Sequence, residues 1–158
     1  MPAPSRFNRF RRAHLRLGRR GEQWAAALLL ERGFTLLTRN YAGKDGEIDL
    51  IVREGAKLCF IEVKTRRCYG RARPGAAVGP AKRERIIKTS HRYLRELGMP
   101  SLVYRFDVVE VVLQGRMLRG IHHWPGAFSE EKSSARLELR FPDIPAEYVR
   151  LTRPAEAE

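Results

Sequence analysis

A chain of 158 residues is long enough for one domain with a buried core plus tails. Its 31 Lys and Arg against 18 Asp and Glu give a net charge of +13 and point to a polyanionic partner. No apolar run approaches the ~18–20 residues of a membrane span, the basic start lacks the apolar segment of a signal peptide, and two cysteines make no disulfide framework, so a cytoplasmic protein with reduced thiols and no membrane partner is expected.

Residues 1–20 hold seven arginines and no acid, with Phe7, Phe10, Leu15 and Leu17 interleaved. Residues 1–17 are expected to be a flexible basic arm, which either orders around phosphates or stays a solvated tail; the two readings stand level. A helix is predicted from Gly21 to about Arg32, closed by Gly33. Glu22 falls in its first turn, where the helix dipole favours an acid for structural reasons alone. Phe34–Arg39 reads as the first strand.

Two apolar strands follow, each carrying acids: Gly46-Glu47-Ile48-Asp49-Leu50-Ile51 and Phe60-Ile61-Glu62-Val63-Lys64-Thr65-Arg66. Gly55-Ala56 fits a two-residue hairpin loop pairing Glu54 with Lys57. Counting back along the ladder sets Asp49 opposite Glu62 and Glu47 opposite Lys64, all four on one face. Ile48, Leu50, Val52, Cys59, Ile61 and Val63 form the other face, expected to pack on the core. Two like charges at ~4 Å repel by about 1 kcal/mol in water and about 4 kcal/mol at an effective dielectric near 20, and one lysine cannot neutralise three carboxylates. A solvated sheet face would tolerate such acids. The opposed register and the neighbouring Lys64 favour a hard divalent cation, Mg²⁺ or Mn²⁺, and a water activated against a phosphodiester. Lys64 is suited to orient or deprotonate that water, or to stabilise the developing charge.

Residues 65–80 read as a loop in which Arg66, Arg67, Arg71 and Arg73 are placed to touch a nucleic-acid backbone and Tyr69 to stack on a base or cover a core edge. Pro80–Leu97 is predicted helical, with Ile86, Ile87, Tyr93, Leu94 and Leu97 toward the core and Lys82, Arg83, Arg85, Lys88 and Arg92 on a basic side. Leu102–Leu113 is a strand whose Asp107 is expected to tie down a neighbouring backbone or basic group. A Gln114-Gly115 turn leads to a last strand from Met117 to about His122. His122 and His123 are expected in hydrogen-bonding or solvent roles, and they make no zinc pattern with Cys59 and Cys68. Residues 129–158 turn to mixed charge with three prolines; Leu137, Leu139 and Phe141 alternate as an edge strand or a subunit contact would.

Asp49 followed by Glu62-Val63-Lys64 resembles the PD-(D/E)xK signature of the restriction-endonuclease-like superfamily, with Ile48 at the motif's proline-like first position. Gly21-Glu22, Arg39-Asn40-Tyr41, Lys82, Phe106-Asp107-Val108-Val109 and Ala127-Phe128 extend the match. Over about residues 18–128 the chain resembles the YraN-like family of small bacterial proteins, similar in motif order to archaeal Holliday-junction resolvases. The resemblance implies metal binding by Glu22, Asp49 and Glu62, Lys64 as the catalytic lysine, Lys82 near a phosphate, and, as in related nucleases, a homodimer.

The expected fold is an α/β, restriction-endonuclease-like sandwich: a central mixed β-sheet flanked by helices, in the order α-β-β-β-α-β-β. The domain is expected over 18–128, with 129–158 an extension of unknown role. The function read from it is metal-dependent hydrolysis of DNA, branched or single-stranded forms included. In that scheme Asp49 and Glu62 hold the metal, Glu47 orients water or Lys64, and Arg66, Arg67, Lys82 and Arg85 bind phosphates. The rival is a non-catalytic nucleic-acid-binding module on the same fold.

Overall fold

The computed structural model describes residues 6–67 and 78–130. Helix α1 (Arg6–Glu31) is followed by β1 (Thr35–Ala42), β2 (Glu47–Glu54) and β3 (Lys57–Arg67), then α2 (Pro80–Glu96), β4 (Tyr104–Gln114) and β5 (Met117–Phe128). This is the expected order of elements. The strands form one sheet in chain order, antiparallel except that β3 and β4 run parallel. A parallel pair needs a crossover, and α2 lies in that connection.

Gly55, at φ 58, opens the hairpin turn, and Glu54 pairs with Lys57 as expected. Gly33, at φ 85, ends α1: Gly33 N–H reaches Leu30 O and Phe34 N–H reaches Leu29 O, which satisfies the last carbonyls of the helix. The other end of α1 departs from expectation. The helix starts at Arg6 rather than Gly21, so the supposed flexible arm is, from Arg6 on, its first part. Arginine and leucine are good helix formers, no proline interrupts the run, and Gly18 costs only about 1 kcal/mol inside a helix.

Both faces of the sheet are buried, as a sheet flanked by helices requires; within the hairpin, only the face opposite the acids was expected to pack on the core. On one, Trp24, Ala25, Leu28 and Leu29 of α1 pack on Leu50, Val52, Cys59, Ile61, Val109, Val111 and Ile121. On the other, Ile86 and Leu94 of α2 pack on Ile51, Phe60, Phe106, Val108 and Phe128, with Phe106 stacked between Phe60 and Phe128 at 5.7 and 5.0 Å. Ile48, expected beside Leu50, belongs instead to the α2-side cluster. The pairing of β2 with β3 ends at Leu50↔Ile61, two residues short of Ile48.

No helix among the described residues is long and apolar enough to cross a membrane. Cys68, Tyr69, Arg71 and Arg73 of the expected loop, and the C-terminal extension beyond Glu130, lie outside the described residues.

Candidate active site

The sheet forks where the acids lie. From Leu50 toward Glu47, β2 stays with β1, ending at Ala42↔Glu47. From Ile61 onward β3 stays with β4 as far as Arg67↔Leu113. Glu47 is therefore not laddered to Lys64, nor Asp49 to Glu62, as simple counting had it. Instead the Asp49 side chain spans the fork: its Oδ2 accepts the Val63 N–H at 2.7 Å.

Asp49, Glu62, Lys64 and Lys82 meet at this fork. Glu62 is buried, with Lys64 Nζ 3.2 Å from Oε1 and Lys82 Nζ 3.2 Å from Oε2. The Lys82 contact is an ion pair only: Oε2 accepts no hydrogen bond among the described residues. Burial, then the neighbouring Glu62 charge, push the Asp49 carboxyl up to about 7; the Val63 N–H and Lys82 pull the other way without cancelling them. The acid pair is thus held close at an electrostatic cost.

Glu22 approaches from α1. A Cβ on Gly21 would lie 1.7 Å from Thr65 Oγ1 of β3, so only glycine lets α1 settle this close to the sheet. Burial raises the Glu22 carboxyl, a hydrogen bond from Asn40 lowers it, and the charge of Glu47 raises it again. Asn40 stands in β1 between Arg39, which pairs with Leu50, and Tyr41, which pairs with Ile48; this sets it beside Asp49. Its φ of 49 is unusual for a residue other than glycine and is best tolerated by asparagine. The sequence motif contained Asn40 but offered no chemistry for it.

The remaining candidates are spread more widely. Glu47 is exposed at the start of β2, Arg67 is exposed at the end of β3, and Arg85 is exposed on α2. Arg66 Nε lies 2.8 Å from Glu110, which is fully buried. Glu110 was not foreseen. It sits in a β-branched run of β4, and only the parallel register brings it beside Lys64. Among the described residues, no group of three or more Asp, Glu, His or Cys is gathered to hold a metal ion. Mg²⁺, however, is often bound through one or two carboxylates, with waters and substrate phosphates completing the shell. Two carboxylates pressed together, one with a poorly satisfied buried oxygen, fit that demand.

A second acid centre lies in β4. Asp107 is fully buried; its Oδ1 accepts Arg105 Nε–H at 2.8 Å and Gly126 N–H at 2.9 Å, and its Oδ2 lies 2.8 Å from His123 Nε2. Since an ionised carboxylate only accepts, His123 Nε2 carries the proton. Asp107 thus has the structural role expected for it, and His123 the hydrogen-bonding one. The nearby Cys59 thiol is pushed up to about 11, chiefly by burial, which makes it unreactive.

A family model described as "Uncharacterised protein family UPF0102" matches residues 21–111. The chain belongs to the UPF0102 family. This is the YraN family that the motifs resemble. A UPF0102 protein of Chlorobium phaeobacteroides is 39% identical over 120 residues, covering 73% of this chain and 94% of its own. One from Syntrophus aciditrophicus is 48% identical over 101 residues, covering 64% of this chain and 80% of its own. A third, from Symbiobacterium thermophilum, is 46% identical over 96 residues, with coverages of 61% and 81%. The match to the UPF0102 family spans Gly21 and Glu22 on α1, the forked hairpin, Lys82, Asp107 and Glu110.

Proposed function

We propose that this UPF0102 protein is a divalent-metal-dependent nuclease-like protein of the PD-(D/E)xK kind, hydrolysing phosphodiester bonds in DNA, branched or single-stranded forms included. One observation carries the reading: a carboxyl pushed up to about 7 by burial and a second carboxylate, beside a lysine, at the fork between two strands. A cation placed between them favours the doubly ionised form of such a pair near neutral pH.

Asp49 and Glu62 are the residues that would hold Mg²⁺ or Mn²⁺. Glu22, which the resemblance adds to the set, would complete the shell only by moving in from α1, since no three acids are gathered among the described residues as they stand. When bound, the metal supplies Lewis-acid polarisation of a phosphoryl oxygen and a water of lowered pKa. Lys64 is suited to hold the attacking water or to stabilise the charge that develops on the phosphate, a contribution of about 10²–10⁴-fold for a positioned proton-transfer group. Glu47, exposed at the mouth, orients water. Arg67, Lys82, Arg85 and Arg66 supply phosphate contacts. The same reading has the protein acting on nucleic acid in the cytoplasm, with a homodimer as its expected assembly.

A second reading, a nucleic-acid-binding module without catalysis, is favoured by the two ammoniums that already flank Glu62. The two readings separate when the purified protein is incubated with Mg²⁺ or Mn²⁺ and labelled duplex, single-stranded, flap and four-way-junction DNA, beside Lys64→Ala. Metal-dependent cutting that falls at least about 100-fold in the variant supports the nuclease. If both proteins bind and neither cuts, the binding module is the better account.

A further inference from the structure

Each oxygen of Glu62 already meets a cation. Lys64 Nζ stands 3.2 Å from Oε1 and Lys82 Nζ 3.2 Å from Oε2. An ammonium at this distance disfavours a dication on the same oxygen, because like charges so close repel, and more so away from water. The metal is therefore favoured when one ammonium gives way. Lys64 shares its strand with Glu62, whereas Lys82 reaches across from the first turn of α2. The Lys82 side chain keeps about a third of its surface exposed (31%), and Oε2 accepts no hydrogen bond among the described residues. Arg85, also exposed, follows three residues on, on the same side of the helix. A phosphate bound at Arg85 therefore lies within one helical turn of Lys82.

We propose that Lys82 is an exchangeable counter-ion of Glu62: a nucleic-acid phosphate draws it away, and the uncovered carboxylate oxygen then takes the metal. This rests on the metal-dependent reading and adds an order of events to it. The bare protein holds metal weakly, and metal and nucleic acid bind cooperatively. By reciprocity, metal must tighten nucleic-acid binding by the same factor. Lys82 is a positioning residue here, since it acts through Glu62.

The test is Mn²⁺ binding to the full chain, followed by the electron paramagnetic resonance of free Mn²⁺, with and without a phosphorothioate oligonucleotide that resists cleavage. In the wild type the oligonucleotide is expected to tighten Mn²⁺ binding about tenfold, within the usual range of such couplings. Lys82→Met keeps the apolar stem and removes the charge. It is expected to bind Mn²⁺ about tenfold tighter than wild type without oligonucleotide and to gain nothing further when it is added. Lys82→Arg is expected to retain the coupling, and Glu62→Gln to lose Mn²⁺ binding under both conditions. If Lys82→Met shows wild-type affinity and coupling while Glu62→Gln abolishes binding, the exchange is overturned and the metal site stands. If Glu62→Gln leaves the Mn²⁺ affinity of the wild type unchanged, the metal site itself falls, and the exchange with it.

Discussion

Asp49 and Asp107 belong to the same sheet, and the fold treats them in opposite ways. Burial raises the pKa of both, and in Asp49 the Glu62 charge adds to it, so that the carboxyl rises to about 7. In Asp107 the same penalty is more than offset by His123, Arg105 and the Gly126 N–H, and the carboxyl ends below its ordinary value. Both are withdrawn from water; they differ in what the chain provides around them. Asp107 has a full set of donors, as a structural anchor requires. Asp49 has one backbone donor and an acidic neighbour, an arrangement more expected of a site that receives a cation from outside.

The largest effect should come from removing the satisfied acid. Asp107→Ala leaves Arg105, His123 and the Gly126 N–H without their shared acceptor, although Arg105 keeps Glu54 at 2.6 Å. Breaking a buried charge network of this kind costs about 3–5 kcal/mol, a large part of the ~5–15 kcal/mol that holds a typical domain together. Urea denaturation measures it. A loss below about 1 kcal/mol, the worth of a single ordinary hydrogen bond, would show that Asp107 is no anchor.

The opposite sign is expected at Asp49. A carboxyl whose folded pKa lies above its unfolded one binds more protons when folded, so it weakens the fold as pH rises from about 4 to about 7 and stays unfavourable above that. Asp107, shifted down, behaves conversely: its contribution is present above the ordinary carboxylate range and is lost only as pH falls below it. Asp49→Asn removes the unfavourable charge and keeps a carbonyl oxygen to accept the Val63 N–H. The span from the ordinary 3.8 to about 7 sets a ceiling of about 4 kcal/mol. Partial exposure and coupling to Glu62 bring the expected gain to roughly 2 kcal/mol at pH 8 with EDTA present, vanishing near pH 4. Equal stability of variant and wild type at pH 8 would remove the contrast between the two acids.

Part of this contrast could be read in the sequence. Period-two alternation and the Gly55 turn brought Asp49, Glu62 and Lys64 together, since a hairpin is local and its turn fixes its register. What counting could not reach was non-local. The fork depends on β3 leaving β2 for β4, and the parallel pairing that sets Glu110 beside Lys64 spans the whole α2 crossover. Alternation placed Ile48 with Leu50, whereas it lies in the α2-side core: counting assigns residues to two faces but does not say what covers each face of the hairpin. Asn40 carries its signal in backbone conformation, which composition does not display.

The smallest expected effect separates cations held inside the site from those held outside it. Lys64 and Lys82 are engaged with Glu62, whereas Lys44 and Lys88 are exposed. Gly43 and Gly46 lay the turn between β1 and β2 on α2: a Cβ at these positions would lie 3.2 Å from Arg92 Cδ and 3.3 Å from Arg85 Cβ. Lys44, carried on that turn, thus stands over the basic side of α2. Lys88 is 2.7 Å from Glu84, but an exposed pair of this kind is weak and readily exchanged for a phosphate. If this side of α2 follows the nucleic-acid backbone, Lys44→Ala with Lys88→Ala should leave the melting temperature unchanged. The slope of log affinity against log salt on duplex DNA should become shallower by about 1.8, or about 1.4 on a single strand. Lys57→Ala, at the far hairpin turn, should leave the slope unchanged. An equal change from Lys57→Ala would mean that net charge alone attracts nucleic acid, and that the cations around α2 have no special place in binding it.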